Sequence, residues 1–429
     1  MEAAARRGLT PSFLLAWVAA VCVAQVLPIL ADEAYYLAWF EVPALGYFDH
    51  PPAIAWWTRL VPGHPRAMGL ILVPLAFLLI GDASRRFGLR AHQTVPGVLF
   101  FTPLGLAAAA LATPDAPATV VFALALWGLA ARNVWACGVG VGLCLWCKLT
   151  PLPSLIVLVP LFGARSWIVA SIAALVASPV LVSALANDGA PFAFQIARIG
   201  RGSSFLETLA GLFLVATPGF AVALVCVTWR VTWPVTWPVA LKDAKAPADE
   251  PVRTLRWLTL APLSAWLVLS VFTRAEVNFT GFVWPPALLW LLHVRPDWRF
   301  MVRGARLTTS LVLVGLVAVL IGKIPGPTAL TLNTDRLAAC RARVPPELPL
   351  VAARYQEKAL LDATGSEEPL PYLRAVGHRL SEYDRRETPS VPTCGFLYLG
   401  DQAALGGRCD GERSDELFCG RAAVRCDCR

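Results

Sequence analysis

Apolar residues run along this chain in long blocks instead of marking one face of short amphipathic segments. The first block, residues 11–30, contains no charge and meets the ~20 residues a helix needs to cross a bilayer. Similar blocks follow at 66–81, 94–112, 118–131, 167–186, 205–228, 255–272, 279–294 and 307–321. Two shorter runs, 134–147 and 152–162, lie either side of Lys148. Each is short for a span and reads as a tilted helix or one that stops inside the membrane beside a cavity. The blocks together predict an all-α polytopic membrane protein of about eleven transmembrane helices. Between them, AIAWWTRLVP reads as a short helix at the interface, with Trp56 and Trp57 in the headgroup belt. The blocks stop near residue 323. The rest, 324–429, is broken by charge and proline and is long enough for a small domain. There VAARYQEKALL predicts an amphipathic helix, and apolar pieces such as CGFLYLG complete a small α/β domain.

Composition agrees with the pattern. The chain of 429 residues is 57% hydrophobic and 15% charged, with a mean hydropathy of +0.59. Soluble domains average about 45–50% apolar and about 25% charged residues. The net charge of +8 does not point to nucleic acid, because the basic residues sit in short turns between spans. Arg6 and Arg7, then Arg85, Arg86 and Arg90, then Arg132 and Arg165 occupy alternate ends of the blocks. This is the positive-inside pattern, and it puts the N-terminus in the cytoplasm and the tail outside, in a cell inner (plasma) membrane. The first block is too long for a signal-peptide core and lacks a small-x-small cleavage site before Asp32, so it reads as an uncleaved span. Cysteines divide the same way. Cys22, Cys137, Cys144, Cys147 and Cys226 fall in apolar blocks and read as packing residues. Cys340, Cys394, Cys409, Cys419, Cys426 and Cys428 fall in the tail, where an even set outside the cytoplasm suggests disulfides.

Polar chemistry gathers on one side. The stretch ADEAYYLAWFEVPALGYFDHPP follows the first span directly and begins a first outer loop, 31–65. Ionisable groups crowded at the mouth of a span usually mark a site. With the predicted topology, Asp32, Glu33, Asp49, His50, Asp115, Lys148, Asp188, Gln195, Arg198, Glu276 and Asn278 all fall at outer turns.

DEAYY followed by GYFDHPP resembles the first extracytoplasmic loop of the GT-C glycosyltransferases, in the branch of protein O-mannosyltransferases and lipid A aminoarabinose transferases. Further stretches are similar to that family. LATPDAP has its Thr-Pro-Asp turn, and GLCLWCKLTP its small-residue segment ending in lysine. NDGAPFAFQIAR has its Asn-Asp loop, and AEVNFTGFVWPP its Glu-x-Asn segment, with Phe279 in place of a tryptophan. Many lipid A relatives carry Phe-Glu-Lys-Pro-Pro where this chain has Phe48 to Pro52, so His50 replaces a lysine. In the tail, RYQ and GHRLSEYD resemble the outer C-terminal domain of the same branch. The resemblance implies a catalytic transmembrane domain over 1–323 and an extracytoplasmic domain over 324–429. It implies an inverting transferase that moves a sugar from a polyprenyl-phosphate donor to a glycan, lipid or protein acceptor outside the cytoplasm.

Such a reaction needs a base for the acceptor hydroxyl and cations for the departing phosphate. The resemblance makes Asp32 the candidate base, with Glu33 assisting or capping its helix. It implies substrate contacts from Tyr35, Tyr47, Asp49, His50, Asp115, Asp188, Gln195, Glu276 and Asn278. Lys148 and Arg198 are the candidate phosphate clamps, with a snorkelling lysine and an Arg198–Asp188 ion pair as the structural alternatives. Asp32, Asp49 and His50 form a candidate site for a divalent cation (Mg, Mn, Ca or Zn). Two other classes compete: a flippase or transporter of lipid-linked sugars, and a non-catalytic scaffold for envelope assembly. A transporter would carry helix breaks and polar groups near mid-membrane in two related halves. No internal repeat is visible, and a scaffold would not need the acids of the first loop.

Overall fold

Apolar blocks become helices wherever the computed structural model describes them. It describes residues 10–39, 41–89, 92–189, 250–272, 277–294, 299–320 and 334–345, with shorter stretches of 192–228 and 348–426. The described chain falls into two units. The first comprises Met1–Ala24 with His50–Gly315. The second joins Gln25–Asp49 to Leu316–Arg429, so the acidic stretch of the first loop clusters with the tail.

In the first unit, α1 (Pro11–Val26) is followed by the short α3 (Ala53–Arg59), where an interfacial helix was expected, and by α4 (Ala67–Arg86). A 20-residue helix rises ~30 Å, the thickness of the hydrocarbon core. The block at 94–112 reads in the sequence as one span, but the structure divides it into α5 (Val95–Phe100) and α6 (Pro103–Ala110). Pro103 has no N–H to continue the ladder to Leu99. The Thr102 hydroxyl takes over, donating to Leu99 O at 2.7 Å and accepting from Gly105 N at 3.0 Å, so it caps the new helix. A bend of 112° then separates α6 from α7 (Asp115–Ala130).

Helix α7 pairs with α8 (Val134–Cys147) through a three-residue turn. Arg132 takes a left-handed φ of 55° there, and the Asn133 side chain caps α8 by accepting from Trp135 N and Ala136 N, each at 3.0 Å. Gly140 lets the two backbones meet, since a Cβ there would lie 2.5 Å from Ala125 N. On the other side of α8, Trp146 Nε1 donates to Val176 O of α10 (Ser166–Ala186) at 2.8 Å. Between them, α9 (Leu152–Leu158) runs into a 3-10 segment, Val159–Arg165, which Gly163 breaks at φ 59°. Helix α11 (Glu250–Phe272), the 3-10 segment Val277–Val283, α12 (Trp284–Val294) and α13 (Arg299–Leu320) complete the unit. Every residue of α12 from Trp284 to Leu292 is buried, which marks it as an interior helix of the bundle. Among the described residues three helices are long and apolar enough to cross a membrane, or up to five if each of two bent pairs is one span. Residues 205–228, read as a span, lie mostly outside the described residues.

The second unit holds α2 (Ala31–Trp39), α14 (Thr334–Arg341), α15 (Tyr355–Asp362) and a four-stranded sheet. The strands are β1 (Leu350–Ala352), β2 (Phe396–Leu399), β3 (Glu412–Arg413) and β4 (Val424–Cys426), in the order β1-β2-β4-β3. β1 and β2 are parallel, with Val351 opposite Tyr398, and α15 lies on the crossover between them. The helix expected over VAARYQEKALL therefore starts late. Val351 and Ala352 are taken by the parallel ladder, and the chain turns helical at Tyr355. Val351, Ala353, Phe396, Tyr398, Val424 and Cys426 form the sheet's core. Cys426 is disulfide-bonded. Cys22, Cys137, Cys144 and Cys147 in the apolar helices are free thiols.

Candidate active site

Helix α2 carries the acidic pair. Asp32 and Glu33 lie in its first turn, where carboxylates are favoured by the unpaired N–H groups of the helix end. One residue of difference gives them opposite environments. Glu33 is fully buried, and its Oε2 accepts the Leu30 N–H at 3.0 Å. That is the reach-back bond of a capping box. The Asp32 side chain is exposed.

Around α2 the loop folds on aromatic rings. Tyr47 stacks on Trp39 with centroids 4.3 Å apart and planes at 14°. Its hydroxyl lies 3.1 Å from both Trp39 O and Val42 O, and it accepts from Ala44 N at 3.2 Å. Tyr47 therefore pins the loop back onto the end of α2. Asp49 is 1% exposed, and the Tyr35 hydroxyl donates to its Oδ1 at 3.2 Å.

The transmembrane unit contributes a separate polar pair. The hairpin of α7 and α8 returns to the end where it began, so Asp115 at the start of α7 meets Lys148 just past α8. Lys148 Nζ lies 2.8 Å from Asp115 Oδ1, and the lysine side chain is only 4% exposed. Its ammonium also sits 5.7 Å from the centroid of the Phe279 ring, within cation–π range. A snorkelling lysine would reach for water; Lys148 instead points inward and is paired. The pair fixes the ammonium in place and uses one of its three N–H donors.

Some of the other expected residues are described, and the rest fall outside the described residues. His50 is half-buried in the transmembrane unit. Asp188 is exposed and closes α10 with a left-handed φ of 54°. Asn278 lies in the 3-10 segment Val277–Val283. Gln195, Arg198 and Glu276 lie outside the described residues, as does any Arg198–Asp188 pair. Among the described residues no group of three or more His, Cys, Asp and Glu side chains is placed to hold a metal ion.

The sequence showed no sign of a further cation. Arg66, read simply as the start of a span, is buried and donates from Nη1 to Ala24 O at 2.7 Å. Nor did it show that Tyr35 meets two tail tyrosines, with centroids 4.5 Å from Tyr355 and 5.5 Å from Tyr383. These two are the tyrosines of RYQ and GHRLSEYD, so the similarity of those short motifs was the available signal.

The described chain thus pairs a helical membrane unit with a β-containing C-terminal unit, and the acidic helix clusters with the latter. Comparison with solved structures bears on the same point. The crystal structure of ArnT from Cupriavidus metallidurans bound to undecaprenyl phosphate matches with a TM-score of 0.58 at 15% identity. The match covers 96% of this chain and 97% of that one. No protein-family model matches the sequence, and no curated protein matches it. At this identity the likeness establishes the architecture, an all-α polytopic membrane fold with a C-terminal β-containing domain.

Proposed function

We propose that this protein is an integral membrane glycosyltransferase that takes a sugar from a polyprenyl-phosphate carrier and transfers it, with inversion, to an extracytoplasmic acceptor. The observation that carries the reading is the end-to-end match to a structure that holds undecaprenyl phosphate. Asp32, exposed on α2, is the residue proposed as base, and Lys148, buried in the membrane unit, is the residue proposed for the phosphate. The acceptor hydroxyl oxygen attacks the anomeric carbon as its proton passes to Asp32. The bond from that carbon to the phosphate oxygen breaks, and the electron pair leaves with the phosphate. Attack opposite the leaving group inverts the anomeric centre. Lys148, held by Asp115, is the cation assigned to the charge that develops on the phosphate. Arg198 is the second proposed clamp. Asp49, through its bond from Tyr35, and Tyr47, through its stack on Trp39, shape the loop that carries the base. Glu33 caps the same helix.

The tail is proposed to lie outside the cytoplasm, as the charge bias requires. The test pairs mass spectrometry of co-purified lipid with a transfer assay using a polyprenyl-phosphate sugar. A polyprenyl phosphate or its sugar conjugate should co-purify, and the sugar should leave the carrier. Carrier bound without any transfer to acceptor extracts would favour the transporter class. Neither binding nor transfer would exclude both.

A further inference from the structure

The roles assigned above leave the tail's tyrosines unexplained. Tyr355 opens α15, and Tyr383 lies in a 3-10 turn, Glu382–Asp384. Both rings are buried and pack against Tyr35 of α2 at interplanar angles of 55° and 58°. Tilted contacts of this kind suit the ring quadrupole, with its negative face and positive edge. Tyr383 is itself held. Lys358 Nζ lies 4.8 Å from its ring centroid and is fixed by Asp362 at 2.7 Å and by Leu370 O at 2.8 Å. Lys358 is 2% exposed, so this is an interior anchor.

The consequence follows from helical spacing. Residues three and four apart share a face, so Asp32, Tyr35, Tyr36 and Trp39 form one stripe along α2. Tyr35, Tyr36 and Trp39 are buried, and Asp32, one turn nearer the N-terminus, is exposed. The carboxylate therefore stands at the open end of a stripe whose rotation is set by the rings packed beneath it. We infer that Tyr355 and Tyr383, backed by Lys358, are positioning residues for the transfer reaction: they fix the rotation of α2 and thereby the direction of the Asp32 carboxylate. This rests on the reading of Asp32 as the base, and it makes the tail part of the reaction machinery. Misplacing a reacting group by about 1 Å costs about 100-fold in rate.

The experiment uses the full-length purified protein with Tyr355→Leu, Tyr355→Phe and Tyr383→Leu, each alone and combined with Asp32→Asn. Transfer is followed under single-turnover conditions, and donor affinity is measured separately as the check on folding. The expected result is a loss of about 10- to 100-fold in transfer for the two leucine variants. Donor Kd should stay within about twofold, since the ring contacts lie on α2 and not on the lysine clamp. Tyr355→Phe, which keeps the ring, should restore transfer. In the Asp32→Asn background the leucine substitutions should cause no further loss, because a base that is absent cannot be misdirected. Tyr383→Leu carries the test should Tyr355→Leu fail to fold. Wild-type transfer by folded leucine variants beside an inactive Asp32→Asn overturns this inference alone. So does an equal loss in both backgrounds, which marks a purely structural role. Wild-type transfer by Asp32→Asn overturns the base assignment, and this inference falls with it.

Discussion

Adjacent acids on one helical turn make the sharpest contrast at the residue scale. Glu33 is spent on the Leu30 N–H, while Asp32 is exposed. Glutamine at this position preserves a capping bond, so Glu33→Gln should retain transfer within a few fold. Asp32→Asn should lose about 100- to 10,000-fold, the span of a single general base, and should still bind donor. Paired transfer and binding assays on both variants check this; an inactive Glu33→Gln would move the catalytic role to Glu33. Lys148 allows a second separation. Breaking a buried ion pair from one side costs about 3–5 kcal/mol, because the partner charge is stranded. Lys148→Ala should therefore lower both the melting temperature and donor affinity. Adding Asp115→Asn should recover stability without recovering affinity. If affinity returns too, the lysine serves the ion pair and not the phosphate.

Helices place these side chains, and their breaks matter as much as their runs. The α7–α8 hairpin brings Asp115 to Lys148 because its two arms are of similar length, 16 and 14 residues, about 24 and 21 Å at the helical rise. Its closeness depends on Gly140. In Gly140→Val the new side chain would meet the Ala125 backbone, and overpacking costs about 1–3 kcal/mol or more. Thermal unfolding in detergent should show a marked drop, and donor affinity should fall as the Asp115–Lys148 ends part. Gly315→Ala is the control, since a Cβ there meets nothing within 4 Å. A Gly140→Val protein as stable as this control would show that the arms need not touch. The Thr102–Pro103 break teaches the complementary lesson. Hydropathy summed over residues 94–112 registers a span, but a proline whose missing donor is replaced by a threonine hydroxyl starts a new helix.

For the whole molecule, the proposed topology, argued from charge bias, has the tail across the membrane from the basic turns. Alkaline phosphatase fused after Asp335 should be active and fused after Arg303 inactive; activity at Arg303 alone would invert the topology. The membrane character, most helical segments and the candidate Asp32 were legible in the sequence, because apolar runs and clustered charges are local properties of the chain. The break at Thr102 was written in the sequence too, but the apolar average conceals it. What the sequence could not decide was which distant residues would meet. Nothing in 25–49 announces that this loop clusters with residues from 316 onward, or that Tyr35 finds Tyr355 and Tyr383. Nor does either arm of the hairpin reveal that Asp115 and Lys148 neutralise each other. Contacts of that kind depend on how helices are rotated and closed upon one another. Apolar pattern sets that a helix forms and roughly where, while the packing of rings and glycines sets which of its faces meets which neighbour.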